Sequence, residues 1–375
     1  MNRHIDAWLI LIVIALITGG LLMVLSASAV MSAETPGAEF KYLYRQLIAL
    51  GIGSIFCVAT ALTPIRKIRQ NHMLFYCLVG IGLLLCFAPV IGTEVKGARR
   101  WIGFGSINFQ PSAFAKIVIL ISLAHFLHIW RGQLDDIRVV LRALAIPAPL
   151  MGLILFEPDF GTTLIIASLI VFMMFIAGLK RQYLFGALGG AIVLGIPILL
   201  MEEYRLQRMK HFLDPWSAYH REGYQIIQSW IAMHNGGLTG QGLGNSFSKR
   251  HFLPEPWTDF IAAVIAEELG FIAVIVVLFL FCALLWRGFH IARRARDAFS
   301  MFLAASLTMM ICAEAIFNLG VVMGLVPPKG LVLPFISYGS SAMMANLWAI
   351  GLLLSISSEH RDVPVDKGWK AAEEM

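Results

Sequence analysis

Two acidic side chains, Glu255 and Asp259, lie four residues apart in the polar segment that directly precedes a long apolar stretch. Two carboxylates near one site can have their pKa values pushed apart, so that one of them can serve as a general base. A local alternative stays open, because the helix dipole favours an acidic residue at a helix N-terminus by roughly 0.3–1 kcal/mol.

A second group of side chains that could do chemistry is basic. Lys96, Arg99 and Arg100 lie in a short polar segment, and Lys329 shortly precedes the last apolar stretch. Cationic groups that lie just outside apolar stretches suit an anionic ligand at a membrane surface, for example a pyrophosphate held in the outer leaflet. The alternative is that these long side chains cover apolar surface with their stems and extend toward the lipid headgroups.

The segment from Asn235 to Ser246 is rich in glycine. Glycine lets a backbone approach a ligand closely and present its N–H groups to it. The same composition is typical of a tight turn, so both interpretations remain open.

The elements that must position these groups follow from the composition. Of 375 residues, 58% are hydrophobic and 14% are charged, whereas soluble domains carry about 25% charged residues. A soluble chain of this length could not bury so much apolar surface, so the sequence predicts a polytopic membrane protein. The net charge of +6 comes from basic residues in the gaps between apolar stretches. That distribution indicates membrane topology and no nucleic-acid partner.

Crossing the hydrocarbon core takes about 17–25 apolar residues, and the sequence predicts an all-α integral membrane fold with ten transmembrane helices. The fifth carries Pro147 and Pro149, which spanning helices tolerate when their neighbours satisfy the freed backbone groups. The ten stretches begin near Trp8, Gln46, Met73, Ala113, Val139, Gly161, Gln182, Asp259, Ser300 and Pro334.

Lys and Arg residues are concentrated in alternate gaps, and the positive-inside rule then places both termini in the cytoplasm. Residues 1–358 are expected to form one polytopic membrane domain, followed by a short charged cytoplasmic tail at 359–375. Residues 202–258 are expected to form one long extracytoplasmic loop between helices 7 and 8. Aromatic and apolar patches in this loop predict partial order near the membrane surface.

Five polar residues fall inside the predicted helices: Lys116, Glu267, Glu268, Glu314 and Asn318. An ionisable residue deep in a span costs about 2.5–3.5 kcal/mol on insertion scales, so each needs a reason. Contacts between helices in the bundle interior are one explanation, and a proton or ion pathway is another. Glu314 and Asn318 are four residues apart and therefore share one helix face.

A series of short motifs occurs in an order that resembles the SEDS family (shape, elongation, division and sporulation proteins), from the first predicted helix to the tenth. The division branch of the family is the closer match, on the sequences at 157–161 and 328–331. The motifs are Lys96-Gly97-Ala98-Arg99-Arg100-Trp101, Gln110-Pro111-Ser112, Glu157-Pro158-Asp159-Phe160-Gly161-Thr162, Gly223-Tyr224-Gln225, Gln228-Ser229, Gly240-Gln241-Gly242-Leu243-Gly244-Asn245-Ser246, Leu253-Pro254-Glu255, Thr258-Asp259-Phe260 and Pro334-Phe335-Ile336-Ser337-Tyr338-Gly339.

This resemblance implies a peptidoglycan glycosyltransferase that polymerises lipid II at the outer face of the bacterial cytoplasmic membrane, at the division septum. It also implies a class B penicillin-binding protein (an FtsI-like transpeptidase) and other divisome membrane proteins as partners. By the family pattern Asp259 is the catalytic acid-base residue, and Glu255 supports it.

The same resemblance implies how the substrate is held. Cationic groups would assist the departing pyrophosphate, with a divalent cation such as Mg²⁺ or Mn²⁺ as a candidate bridge and no organic cofactor. The residues expected to bind substrate are Lys96, Arg99, Arg100, Lys116, Gln225, Ser229, Lys329 and Ser337.

One departure from the family pattern concerns Lys116. Ala113 stands where the family has Glu, an acid that would lie three residues from Lys116 on one helix face. Lys116 must therefore find another partner, and Glu267 and Glu268 are the candidates.

Two further departures are local. Trp257 replaces a common His and leaves no imidazole to relay a proton, while Ser340 replaces a glycine after Tyr338-Gly339. Neither changes Asp259.

Three functions compete on these observations. The first is a lipid II polymerase for division, with an elongation-type polymerase as its variant. The second is a lipid II flippase, which also needs a large amphipathic cavity but should carry acids near both leaflets. The third is a non-catalytic divisome scaffold, which would not need Glu255 and Asp259.

Overall fold

The computed structural model describes residues 5–32, 40–69, 71–95, 98–104, 107–157, 159–183, 185–186, 189–190, 211–219, 223–250, 252–327 and 330–359. The chain is mostly helical over these residues. Its helices are α1 (Ala7–Ser32), α2 (Lys41–Leu62), α3 (Ile65–Ile68), α4 (Asn71–Ile91), α5 (Pro111–Ile129), α6 (Ile137–Ala143), α7 (Pro147–Phe156), α8 (Phe160–Ile176), α9 (Gly223–Gly236), α10 (Ile261–Arg293), α11 (Ala298–Val322) and α12 (Ser340–Ser358).

A small antiparallel sheet lies between α4 and α5, so the expectation of an all-α fold is wrong in this segment. Its strands are β1 (Thr93–Val95), β2 (Ala98–Phe104) and β3 (Ile107–Phe109), with β2 in the middle. In β2, Arg99 pairs with Glu94 and Ile102 pairs with Phe109. The segment is too polar to cross the bilayer, and its β-branched and aromatic residues favour strands.

Six described helices are long and apolar enough to span a membrane: α1, α2, α5, α10, α11 and α12. The α6–α7 pair adds a seventh span if its two bent parts are counted as one. The bend is 45°, and α7 begins at Pro147, because proline fits the first turn of a helix but not its interior. The predicted fifth helix is therefore a broken one. Most of the predicted helix beginning near Gln182 lies outside the described residues.

Helices α1 and α10 form an antiparallel pair with polar contacts at both ends. Near one end Arg287 forms an ion pair with Asp6, with Nη2 2.7 Å from Oδ2. Near the other, Ser26 donates a hydrogen bond to Glu268. These contacts are 19 to 20 residues apart along each helix, which is about 30 Å and matches the hydrocarbon thickness. The Ser26–Glu268 hydrogen bond is a contact between two helices, which is the first of the two explanations offered for this acid.

Helix α10 is interrupted at Gly270, whose backbone has φ +79° and ψ −179°. Every residue from Ile261 to Glu268 is buried in protein, whereas Phe271, Ile272 and Phe279 beyond the break are exposed. The glycine thus divides α10 into a half enclosed by protein and a half with the apolar surface expected to face lipid.

The break in α10 is closed by the glycine-rich segment. The N–H groups of Gln241 and Gly242 donate to the carbonyls of Glu267 and Glu268, and Phe271 N–H donates to the Gly237 carbonyl, each at 2.9 Å. The expectation that these backbone N–H groups could bind a ligand is therefore wrong for Gln241 and Gly242. They satisfy carbonyls that an interrupted helix would otherwise leave without partners.

The predicted loop 202–258 contains ordered structure. Besides α9 it has a short 3₁₀ turn at Pro215–Ala218, and α9 packs against the buried half of α10. A β-carbon on Gly236 would lie 1.9 Å from the Ala266 carbonyl oxygen, so the two backbones are in direct contact there. The partial order predicted for this segment is confirmed.

Candidate active site

Asp259 lies directly before α10, one residue outside the position that caps the helix. The N-cap residue is Phe260, whereas Asp159 and Asp297 occupy the N-caps of α8 and α11 and accept hydrogen bonds from the backbone there. A capping aspartate accepts from the second or third N–H of its helix from the N-cap position itself. The placement of Asp259 thus differs from that of the capping aspartates.

Asn318 on α11 fixes the backbone around Asp259. Its Nδ2 donates to the Asp259 carbonyl at 2.9 Å and to the Leu331 carbonyl at 2.5 Å. The amide is 1% exposed, and both of its N–H bonds are used. Asn318 thereby joins the start of α10 to the segment that follows residue 329.

A second connection runs from the residue before Asp259 to the segment before α12. The Ser337 hydroxyl donates to the Thr258 carbonyl at 2.6 Å and accepts from the Leu333 N–H at 2.8 Å. The Tyr338 N–H donates to the Trp257 carbonyl. The structure therefore brings Ser337 next to Asp259 with its hydroxyl engaged in backbone contacts. Its role as a substrate contact stays a prediction.

Aromatic packing holds Trp257, two residues before Asp259. Trp257 is buried, and its ring centroid lies 4.7 Å from that of Tyr42 on α2, which in turn contacts Tyr338 edge-on at 5.1 Å. Glu255 is half-buried at the edge of this group, with φ +48°, and Thr258 Oγ1 donates to its Oε2 at 3.3 Å. Glu255 and Asp259 thus lie in the same segment of turns before α10, and their action at one site stays a prediction.

Lys116 on α5 forms a buried ion pair with Glu314 on α11. The expectation that Lys116 pairs with Glu267 or Glu268 is wrong. Glu314 lies one helical turn from Asn318 on the same face, so the ion pair lies one turn along α11 from the contact with Asp259.

Glu267 and Glu268 instead anchor the segment that precedes α10, at residues 246–249. Glu267 accepts hydrogen bonds from Ser246 Oγ at 2.5 Å and Ser248 N at 3.1 Å. Glu268 accepts from Lys249 Nζ at 2.6 Å, and neither side chain of that pair is more than 1% exposed. No sequence signal identified Lys249, because its partners lie on α10 and, through Ser26, on α1.

The basic residues predicted to contact phosphate are only partly described. Arg100, about one-third exposed, extends from β2 to within 3.9 Å of Asp159, which also accepts from Gln110 Nε2 at 3.3 Å. Arg99 lies in β2 beside it. Lys96 and Lys329 lie outside the described residues, although Gly330, the neighbour of Lys329, lies against Asp259.

Glu157 lies between α7 and α8, beside Asp159 and Arg100. It is 1% exposed, and among the described residues neither of its carboxyl oxygens has a hydrogen-bond partner. Burial, as the larger cause, and the charge of Asp159 together raise the pKa of Glu157 to about 8, although Arg100 opposes the shift. At neutral pH this group therefore carries a proton.

The two predicted substrate residues on α9 have different surroundings. Gln225 is half-buried. Ser229 is fully buried, and its hydroxyl donates to the Val322 carbonyl at the end of α11 at 2.7 Å. Ser229 therefore joins α9 to α11, and substrate binding by either residue stays a prediction.

The donor set for a metal is sparse. Among the described residues there is no group of three or more His, Cys, Asp or Glu side chains that could hold a metal ion. Mg²⁺, however, is usually bound by one or two carboxylates together with substrate phosphates. Glu255 and Asp259, four residues apart in the chain, are the candidates for such a site, which stays a prediction.

Comparison with known proteins covers nearly the whole chain. A family model described as a cell cycle protein, FtsW/RodA/SpoVE, matches residues 7–362. A Coxiella burnetii protein named probable peptidoglycan glycosyltransferase FtsW is 40% identical over 362 residues, covering 94% of this chain and 96% of its own. Stage V sporulation protein E of Bacillus subtilis is 38% identical over 359 residues, covering 95% of this chain and 98% of its own.

A solved structure gives the same assignment from the fold. It is described as "Structural coordination of polymerization and crosslinking by a peptidoglycan synthase complex" and superposes with a TM-score of 0.78 at 29% identity. The match covers 96% of this chain and 100% of that one. With matches of this extent in both sequence and fold, the chain belongs to the FtsW/RodA/SpoVE family of SEDS membrane proteins.

Proposed function

We propose that the chain is a peptidoglycan glycosyltransferase that polymerises lipid II at the outer face of the cytoplasmic membrane, for septal synthesis during division. The relatives that bear the name peptidoglycan glycosyltransferase FtsW support this assignment. The main structural support for this assignment is the way in which neighbouring residues hold Asp259. A half-buried carboxylate outside the helix cap is held through its own backbone by Asn318 and through the preceding residue by Ser337.

The reaction needs one base. The 4-hydroxyl of the acceptor sugar attacks the anomeric carbon of the lipid-linked donor, and its proton passes to the Asp259 carboxylate. The bond between that carbon and the pyrophosphate oxygen breaks, and its electron pair leaves with undecaprenyl pyrophosphate. Inversion by this direct displacement consumes one proton acceptor and releases one anion.

Basic residues would stabilise the negative charge on the departing pyrophosphate. Arg100 is oriented by Asp159, and Lys96, Arg99 and Lys329 are the further candidates for phosphate contact. Glu255 is the carboxylate that could hold a divalent cation, Mg²⁺ or Mn²⁺, near Asp259, and such a cation would supply positive charge to stabilise the departing pyrophosphate. No organic cofactor enters this scheme.

The proposal includes a topology and partners. We infer ten transmembrane helices, cytoplasmic termini and an extracytoplasmic segment at 202–258, which puts Asp259 at the outer surface. The Asp6–Arg287 and Ser26–Glu268 contacts lie about 30 Å apart along α1 and α10, and this separation supports a hydrocarbon layer between them. A class B penicillin-binding protein and other divisome membrane proteins are the proposed partners, since the matching solved structure is that of a peptidoglycan synthase complex.

The test is glycan-strand synthesis from lipid II by the purified protein with its class B partner in proteoliposomes. Asp259→Ala and Asp259→Asn should abolish polymer, while Asp135→Asn, at an exposed position, serves as a matched control. Equal polymer from wild type and both Asp259 variants would exclude Asp259 as the base. No polymer from wild type, together with lipid II translocation in vesicles, would support the flippase instead.

A further inference from the structure

Helices α5 and α11 are joined by one ion pair that lies just below the candidate active site. Lys116 is 9% exposed and Glu314 is 3% exposed, and the two side chains belong to different helices. A buried charge without a partner is strongly unfavourable, so each of these residues depends on the other.

The same face of α11 reaches the reacting carboxylate by a second contact. Asn318 follows Glu314 by one turn and donates to the carbonyls of both Asp259 and Leu331. Because a helical turn is rigid, a shift or rotation of α11 at Glu314 would also displace Asn318. The position of Asp259 therefore depends on where the Lys116–Glu314 pair holds α11 against α5.

The residue at position 113 determines whether the acid that pairs with Lys116 can come from the same helix. Ala113 is buried on α5, three residues before Lys116, where an acid could reach the lysine from the same helix. In this chain the acid is on α11 instead. The charge is thus supplied across a helix interface, whereas an acid at position 113 would supply it within one helix.

We propose that Glu314 is a positioning residue for Asp259, and that it supplies from α11 the negative charge that Lys116 lacks on its own helix at position 113. This inference rests on the proposed glycosyltransferase function. Glu314 contacts no reacting atom in this account. It pairs with Lys116 and holds that side chain in place, and it fixes the turn of α11 that carries Asn318.

The experiment moves the acid between the helices. Glu314→Gln keeps the shape of the side chain and removes its charge, and we expect kcat for glycan synthesis to fall by about 10²-fold with little change in KM, because small displacements of a catalytic group cost that much. The double variant Ala113→Glu/Glu314→Gln should recover to within about threefold of wild type. Ala113→Gln/Glu314→Gln, which adds bulk without charge, should not recover.

Thermal unfolding of the same proteins in detergent gives a readout that does not need catalysis. Glu314→Gln should lower Tm, and the introduced acid at position 113 should restore it through Lys116, an effect that Lys116→Met should abolish. A folded Glu314→Gln protein with wild-type kcat would overturn the proposal. So would a charged double variant that performs no better than its uncharged control.

These outcomes separate this inference from the proposed function. If wild type makes no polymer with its partner present, the glycosyltransferase assignment fails, and with it the role of Glu314 in positioning a catalytic base. Recovery of Tm by the charged double variant would then still establish that the acid can be exchanged between α11 and α5. Polymer from wild type with no charge-specific rescue would overturn the inference and leave the function standing.

Discussion

The carboxylate of Asp259 lies against the backbone of Gly330, so closely that a β-carbon on Gly330 would be 3.0 Å from Asp259 Oδ2. Few real β-carbons lie that near a neighbour, so any side chain at position 330 must displace the carboxylate or the segment that carries it. The absence of a side chain at Gly330 therefore helps set the space around the proposed base.

Gly330→Ala should reduce glycan synthesis by about tenfold or more, because a base shifted by a few tenths of an ångström loses its alignment with the acceptor hydroxyl. The loss should be in kcat, and Tm should stay close to that of wild type. Gly51→Ala is the matched control, since a β-carbon there meets nothing within 4 Å. Unchanged kcat in Gly330→Ala would show that the carboxylate has room to move.

The buried pair Lys249–Glu268 should be essential for holding residues 246–250 against α10. Lys249→Met would leave the Glu268 carboxylate buried without its cation, and breaking such a pair costs about 3–5 kcal/mol. Lys249→Met/Glu268→Gln should recover part of that loss because the buried charge is gone. Unfolding in detergent, followed by tryptophan fluorescence, measures both.

The exposed pair Lys180–Asp135 provides the control for this experiment. Its side chains are 48% and 68% exposed, and exposed pairs contribute about 0–1 kcal/mol. Lys180→Met should therefore change the free energy of unfolding little. If Lys249→Met changed the free energy of unfolding equally little, the segment at residues 246–250 would be held without help from this ion pair.

Sequence reasoning located what depends on local patterns. The apolar stretches predicted the long helices, and the spacing of Glu255 and Asp259 predicted two carboxylates near one site. The prolines at 147 and 149 were expected to be tolerated within one span, whereas the structure starts a new helix at Pro147. It missed the sheet at 93–109, because three short strands have little periodicity and the apolar count favoured helices everywhere.

Contacts between distant residues could not be derived in the same way. Lys116 and Glu314 are 198 residues apart, and nothing in the sequence separates Glu314 from Glu267 or Glu268 as a partner. The glycine-rich segment was ambiguous for the same reason, since its role depends on the break at Gly270 in another element. Helix packing decides such pairings, and a single sequence does not contain it.

Gly270→Ala should prevent normal folding, because two independent requirements meet at this residue. Its φ of +79° disfavours any side chain, and a β-carbon would lie 2.3 Å from the Leu238 carbonyl oxygen. The glycine-rich segment could then no longer close the break in α10. Yield of folded protein by size-exclusion chromatography measures the effect, and Gly51→Ala should again be neutral.

Glu157 should make stability depend on pH. Its pKa rises from 4.5 to about 8 on folding, so between these values the folded state keeps a proton that the unfolded state releases. Stability from this group is therefore present at low pH, declines as the pH rises through the window and levels off above the folded pKa. In Glu157→Gln that decline should disappear, and the variant should be more stable than wild type near pH 8.

Measuring Tm from about pH 5 to pH 9 tests whether this decline occurs and whether Glu157 causes it. Asp135→Asn is a control that should keep the wild-type slope. A Glu157→Gln protein with the same slope as wild type would mean that the carboxyl titrates near its ordinary value.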